Sequence, residues 1–327
     1  MKILVVDVAA VHGGALSVLK QQIRQFECDR ENQYVVCVST PHFDDTENVT
    51  FLNFPWVKKS RLHRLFFDSI YIHALVKSLK PDRLLSLQNK GFPVSSVPQE
   101  VYFHNALFIC EKRFSFREAK SLWVYQNLIS RLTQRSLRRA ETVYVQANWI
   151  KKELSQKWNL DPERITVTPP SPNPVFCDSS RPVQAERRLF YPASFNLYKN
   201  HRVLLRACCE LWEQYGASHF SLALTGNYDA LPADCKALLS GKDYPIKFLG
   251  RLSPEEMKEE YLRSVLAFPS YVESYTLPLL EARSLGCRIL SSDCLFSHEI
   301  LSGYENVCFI PSFDIDAWKT SIENELC

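Results

Sequence analysis

No run of about 18 apolar residues interrupts this 327-residue chain, so no segment is long and greasy enough to cross a bilayer as a helix. No C-x-x-C occurs, and the 11 cysteines are odd in number and scattered from Cys28 to Cys327. That spacing supports neither a disulfide framework nor a zinc cluster. The one adjacent pair, Cys208-Cys209, falls in a helical stretch, and the expectation is reduced thiols filling space as small hydrophobes. The amino-terminal Met1-Lys2-Ile3-Leu4-Val5-Val6-Asp7 meets a charge too early for a signal-peptide core and lacks a cleavage site, so it reads as a first strand. Two phosphate-binding glycine signatures are missing as well, since there is no G-x-G-x-x-G and no Gly-Lys-Ser/Thr. There is no low-complexity tract and no short repeat.

What is present is globular. Hydrophobic residues make up 46% and charged residues 23% of the chain, enough for a large core without staples. Short β-branched apolar runs recur, each followed by a segment of helical length. In the first half they are Ile3–Val6, Tyr34–Val38, Arg83–Leu87, Val101–Phe103, Thr142–Val145 and Ile165–Val167. In the second they are Arg188–Tyr191, Phe220–Leu224, Ile246–Leu249, Val265–Phe268, Ile289–Ser291 and Val307–Phe309. Nearly continuous apolar strands alternating with helices indicate parallel sheets covered on both faces. Pro169-Pro170-Ser171-Pro172-Asn173-Pro174 puts four prolines in six residues, which neither a helix nor a ladder tolerates. The expected architecture is therefore α/β, with two Rossmann-like doubly wound domains, 1–172 and 173–327, facing across a cleft. The net charge of +3 divides unevenly: 24 Lys and Arg against 16 Asp and Glu in 1–172, and 15 against 20 in 173–327. A basic first half suggests an anionic partner there.

Ligands in such sheets bind beyond the carboxyl ends of the strands. After the first strand comes Ala9-Ala10-Val11-His12-Gly13-Gly14-Ala15, where Gly13 and Gly14 let backbone approach a ligand ahead of a helix expected near Leu16. The most informative segment is Phe268-Pro269-Ser270-Tyr271-Val272-Glu273-Ser274-Tyr275-Thr276-Leu277-Pro278-Leu279-Leu280-Glu281-Ala282. A strand ends at Phe268, a loop carries Glu273, and Pro278 suits the first turn of a new helix that carries Glu281. The amides of Ser274, Tyr275, Thr276 and Leu277 surround that helix start and suit a diphosphate. Two carboxylates would repel phosphate, so they suit sugar hydroxyls on either side of it.

Glu273 and Glu281, with seven residues between them, resemble the E-x7-E motif of glycosyltransferase family 4, retaining nucleotide-sugar enzymes of GT-B fold. The likeness extends to the Gly13-Gly14 loop, His104-Asn105, Gln146-Ala147-Asn148-Trp149-Ile150, and Tyr191-Pro192-Ala193 followed by Lys199-Asn200. It implies that Glu281 holds ribose hydroxyls and Glu273 contacts the transferred sugar. It further implies that Lys199 neutralises the departing diphosphate, His104 lies near the sugar's 6-position, and the Gly14 amide faces the phosphates. No metal or other cofactor is implied. Ser274-Tyr275-Thr276 stands where many relatives carry Gly-Phe-Gly, and Ser194-Phe195-Asn196-Leu197-Tyr198 lacks the arginine common upstream of the lysine.

Basic residues in the first half neighbour aromatics: Lys58, Lys59, Arg61 and Arg64 before Leu65-Phe66-Phe67, Arg131, Arg135, Arg138 and Arg139 at helical spacing, and Lys112-Arg113-Phe114-Ser115-Phe116-Arg117. Each fits a solvated helix face; together they fit a surface resting on anionic lipid with aromatics dipping in. Nucleic acid competes for such a surface, but no nucleic-acid module is recognisable. Asp314-Ile315-Asp316 has the form of a D-x-D metal motif, and helix capping is the expected role. The expected protein is a cytoplasmic hexosyltransferase, peripheral on the inner face of the membrane. It would use a nucleotide sugar and a lipid-linked glycan of O-antigen or capsule type. A non-catalytic subunit or a nucleotide-sugar epimerase of the same fold is the alternative.

Overall fold

A computed structural model of the chain describes residues 1–11, 13–177 and 187–326. The chain divides into two compact units, Met1–Pro170 and Ser171–Cys327, with the division inside the proline-rich segment. The first unit holds β1 (Lys2–Val6), β2 (Gln33–Val38), β3 (Val49–Asn53), β4 (Arg83–Ser86), β5 (Gln99–Phe103), β6 (Thr142–Val145) and β7 (Ile165–Val167). They form one sheet in the order β3-β2-β1-β4-β5-β6-β7, and every pairing is parallel.

The second unit repeats the plan with β8 (Arg188–Tyr191), β9 (Ser221–Leu224), β10 (Ile246–Phe248), β11 (Val265–Phe268), β12 (Ile289–Ser292) and β13 (Val307–Ile310). Their order is β10-β9-β8-β11-β12-β13, again parallel throughout. Each order runs outward one way from its first strand and then jumps to that strand's other side. The reversal leaves a crevice between β1 and β4 in one unit and between β8 and β11 in the other.

Both faces of each sheet are covered, which is why the strands read as unbroken apolar runs. In β1, Ile3 and Val5 point to one face against Leu19, Ile23 and Phe26 of the helix Gly13–Cys28. Leu4 and Val6 point to the other, against Phe67, Ile72, Leu75 and Val76. The β3 strand was not among the expected ones. Its Val-Thr-Phe-Leu-Asn sequence alternates buried and exposed residues because it is an edge strand with one partner. Two crossover helices contain π turns, Phe67–Tyr71 between Arg61–Phe66 and Ile72–Leu79, and Tyr125–Ile129 between Lys120–Val124 and Ser130–Leu137. Each π turn inserts an extra residue and brings a polar side chain inside, Asp68 in the first and Gln126 in the second.

Candidate active site

The crevice at the carboxyl ends of β8 and β11 is built from two loops. The first leaves β8 at Tyr191 and ends in the 3-10 turn Leu197–Lys199. Asn200 follows in the left-handed region (φ 59°) and starts the helix His201–Tyr215. The second leaves β11 at Phe268 and reaches the helix Leu277–Ser284. Backbone and side-chain bonds join the two loops. The amide of Tyr271 donates to the carbonyl of Tyr198 (3.1 Å), and Asn200 Nδ2 donates to the carbonyls of Pro269 (3.2 Å) and Ser312 (2.6 Å). Tyr191 Oη fixes the carbonyl of Lys199 at 2.6 Å.

This framework brings Lys199 and Glu273 into direct contact, Nζ against Oε1, although 74 residues separate them in the chain. Ser270 Oγ donates to the same carboxylate oxygen at 2.6 Å. Both charged side chains are mostly buried, so their attraction is poorly screened and the lysine is held at the mouth of the crevice. Neighbouring His201 is buried beside Lys199, and burial depresses its pKa to about 3, so it stays neutral. Glu281 lies in the second turn of the helix Leu277–Ser284 and accepts a hydrogen bond from Tyr261 Oη at 2.8 Å. Burial pushes its carboxyl up to about 7, and the tyrosine's bond opposes part of that rise.

Thr276 is the N-cap of that helix, and its hydroxyl makes no capping bond. Ser274 and Tyr275 precede it in the loop, and Leu277 opens the helix with its side chain exposed. The amides of the first turn have no partner within the helix and form the local anion-binding feature.

A cavity of about 600 Å³ adjoins these loops, lined among others by Ser194, Phe195, Thr225, Gly226, Asn227 and Arg251. Gly226 and Gly250 bridge the ends of their loops through paired amide bonds (2.8 and 3.2 Å), both with positive φ. A side chain on Gly226 would meet the Phe195 ring at 2.7 Å, so this wall requires glycine. Phe195 and Arg251 line this cavity, and motif reading assigned no role to either side chain. Arg251 supplies a cation beside the segment that lacks the expected arginine. No local signal marks Phe195, because its role comes from contact with a loop 31 residues further on.

In the first unit, His104 follows β5 and its amide donates to Asn89 Oδ1 at 2.6 Å. Its Nε2 lies 3.1 Å from the Leu87 carbonyl and 3.4 Å from Asn89 Nδ2, and the tautomer selects between these two partners. Burial lowers its pKa, so the ring is neutral. Gly13 and Gly14 form the first helical residues of Gly13–Cys28 rather than a loop ahead of a helix near Leu16. Their amides therefore belong to the unsatisfied helix start itself. His12 lies outside the described residues. A larger hollow of about 930 Å³ sits at the amino end of β5, beside Gln99, Arg139 and Arg164. That is the wrong end of a parallel sheet for chemistry.

Asp314 Oδ1 accepts from the amide of Ala317 at 2.9 Å and so caps the helix Ile315–Leu326, as a capping role requires. Among the described residues, no three His, Cys, Asp or Glu side chains gather as metal ligands would.

Residues 178–326 match the family model for glycosyl transferases group 1. No curated protein matches the chain. Among solved structures, the chain is similar to WaaG, a glycosyltransferase involved in lipopolysaccharide biosynthesis, with a TM-score of 0.72 at 14% identity over 99% of this chain and 90% of that one. It is also similar to sucrose-phosphate synthase from Thermosynechococcus elongatus, with a TM-score of 0.70 at 14% identity over 99% and 89%. HepE from Anabaena in complex with UDP and glucose gives 0.68 at 14% identity over 99% and 89%. At such identities the likeness is one of fold, and that fold is GT-B, with two Rossmann-like parallel-sheet units in one chain.

Proposed function

We propose that the protein is a retaining glycosyltransferase that moves a hexose from a nucleoside diphosphate sugar to a hydroxyl of a lipid-linked glycan of surface-polysaccharide type. The observation that carries the reading is the Lys199–Glu273 pair, poised at the β8–β11 crevice with Glu281 on the helix that follows. Lys199 and the helix-start amides at Ser274–Leu277 take the diphosphate. Glu281 accepts from the ribose hydroxyls, and Glu273 serves the transferred sugar. As the sugar–phosphate bond breaks, negative charge grows on the leaving oxygen, and a fixed ammonium stabilises that charge more than the ground state. The same phosphate takes the acceptor's proton on the face it leaves, which gives retention without a protein base. With a lysine and a helix dipole opposite the diphosphate, no divalent metal is required. Gly13 and Gly14 open the first unit's anion-facing helix, and the first unit is assigned to the acceptor.

The acceptor's lipid calls for work at a membrane surface, the inner face of the cytoplasmic membrane in this reading. Leu62, Leu65, Phe66 and Ile70 on one crossover helix, and Tyr125, Leu128 and Leu132 on another, are between 45% and 76% exposed. Arg61, Arg131 and Arg135 flank these stripes. Exposed apolar side chains bordered by cations suit an anionic lipid interface.

The test is a calorimetric screen of nucleoside diphosphate sugars, UDP-glucose first, with and without EDTA, followed by transfer to lipid-linked glycan acceptors. Binding that survives chelation together with transfer supports the reading. A folded protein that binds none of them favours a non-catalytic subunit instead.

A further inference from the structure

The carboxyl end of the first sheet carries a charged network that includes Lys58 and Arg64, two of the basic residues expected on a lipid-facing surface. Lys58 donates to the carbonyl of Ala9 at 2.9 Å, in the loop that follows β1. Arg64 Nε and Lys90 Nζ both reach Asp68 Oδ2, each at 2.8 Å. Arg64 also donates to Gln88 Oε1, and Gln88 and Lys90 lie in the loop after β4. Asp7, the first residue after β1, accepts from the amide of Ala10 at 3.2 Å and feels the charges of both Arg64 and Lys58. All of these groups stand where β1 and β4 diverge, the place in a parallel sheet where ligands bind.

Three further features mark this network as more than a solvated helix face. Gln88 is about nine-tenths buried, yet its Nε2, a donor, has no hydrogen-bond partner among the described residues. The network is therefore not closed on itself. Asn89, between Gln88 and Lys90, sits in the left-handed region at φ 65°, a conformation that costs energy and concentrates at functional sites. The π turn Phe67–Tyr71 is what carries Asp68 to the interior, and such turns recur at functional sites.

The charges do not balance. Lys58, Arg64 and Lys90 contribute three positive charges against one from Asp68. Burial pushes the Asp7 carboxyl up to about 7, so near neutrality it is only partly ionised and offsets part of that surplus. The positive surplus that remains complements a phosphate monoester, which carries about −1.5 to −2 at neutral pH.

We infer that Lys58, Arg64 and Lys90 at the β1–β4 crevice form a binding site for a phosphate group. Only the identity of the carrier, the glycosyl acceptor, rests on the proposed transfer reaction; phosphate binding at this place does not. A lipid headgroup and a free phosphorylated sugar or polyol present the same chemistry.

The experiment titrates the full chain with glycerol phosphate, and in parallel with phosphatidic acid or phosphatidylcholine vesicles, both with and without saturating UDP to fill the donor site. Binding of glycerol phosphate that falls at least ten-fold in Lys58→Met/Lys90→Met supports the site with a soluble carrier. Binding to phosphatidic acid alone, weakened ten-fold by the same double variant, supports it with a lipid carrier. Asp68→Asn removes the network's counter-charge and is expected to tighten phosphate binding several-fold, a change that loss of folding cannot produce. Should the double variant unfold, Asp68→Asn decides: tighter binding upholds the site and unchanged or weaker binding overturns it. Equal affinities of wild type and double variant for both probes overturn it too. Failure to bind UDP would count against the transfer reaction alone, since the arm without UDP still reads the phosphate site.

Discussion

At the scale of single residues, Glu281 ties function to pH most directly. Burial pushes its carboxyl from an ordinary 4.5 up to about 7, so the folded state holds its proton more tightly than the unfolded chain. Stability from this group is therefore fully present below about pH 4.5 and falls as pH rises toward 7. Glu281→Gln keeps an acceptor for Tyr261 Oη and removes the buried charge. It should raise stability by on the order of 2 kcal/mol at pH 8 and change it little at pH 4.5, read from denaturant unfolding at the two pH values. Function should move the other way. Ribose hydroxyls donate to the ionised form, so UDP-glucose affinity should rise with pH up to about 7, and the glutamine variant should bind more weakly and lose that slope in calorimetry. Flat affinity across pH 6 to 8 in the wild type would remove Glu281 from the ribose. For Lys199, the expectation is kinetic. Lys199→Met should lower the transfer rate about 100-fold or more, the cost of losing a group that stabilises charge developing in the transition state. A kcat within a few-fold of wild type would exclude that role.

At the scale of elements, the site depends on loops held in conformations that few residues tolerate. Gly226 has φ 95° and faces the Phe195 ring, so a methyl group there is opposed by backbone and neighbour together. Gly226→Ala should cost about 1–3 kcal/mol of stability and weaken nucleotide binding, measured by thermal unfolding with and without UDP. Gly226→Ala/Phe195→Ala removes the clash and leaves the φ strain, so it should recover only part of the loss. An undiminished Tm in the single variant would mean that the bridge to Gly250 yields without cost.

At the scale of the whole molecule, charge and apolar exposure are distributed unevenly. The first unit has a surplus of eight positive charges from 24 Lys and Arg against 16 Asp and Glu, and it carries both exposed apolar stripes. Replacing Leu62, Leu65, Leu128 and Leu132 together with Gln should reduce partitioning onto phosphatidylglycerol vesicles at least ten-fold, because each leucine forfeits a burial gain of about 1.5–3 kcal/mol at most. UDP-glucose affinity should be unchanged. Vesicle co-sedimentation that equals wild type would place any membrane contact elsewhere.

Twelve of the thirteen strands are legible in the chain as short apolar, β-branched runs, whereas edge strand β3, with its alternating Val-Thr-Phe-Leu-Asn, is not. The proline cluster, the loop after β11 and the placement of Glu273 and Glu281 around a helix start are likewise local properties that sequence alone determines. Strand order is not local. Nothing in the sequence sets β8 beside β11, yet that adjacency makes Lys199 and Glu273 partners across 74 residues. Helical phase is equally hidden. Lys58 and Arg64 read as members of a basic surface, but Lys58 bonds to Ala9, while Arg64 engages Asp68, which the π turn brings inside, and Phe67 is buried although Leu65 and Phe66 are exposed. Residue type and spacing thus determined which groups stand at the ends of strands. Only packing decided which of those groups meet, because burial and contact depend on neighbours remote in the chain.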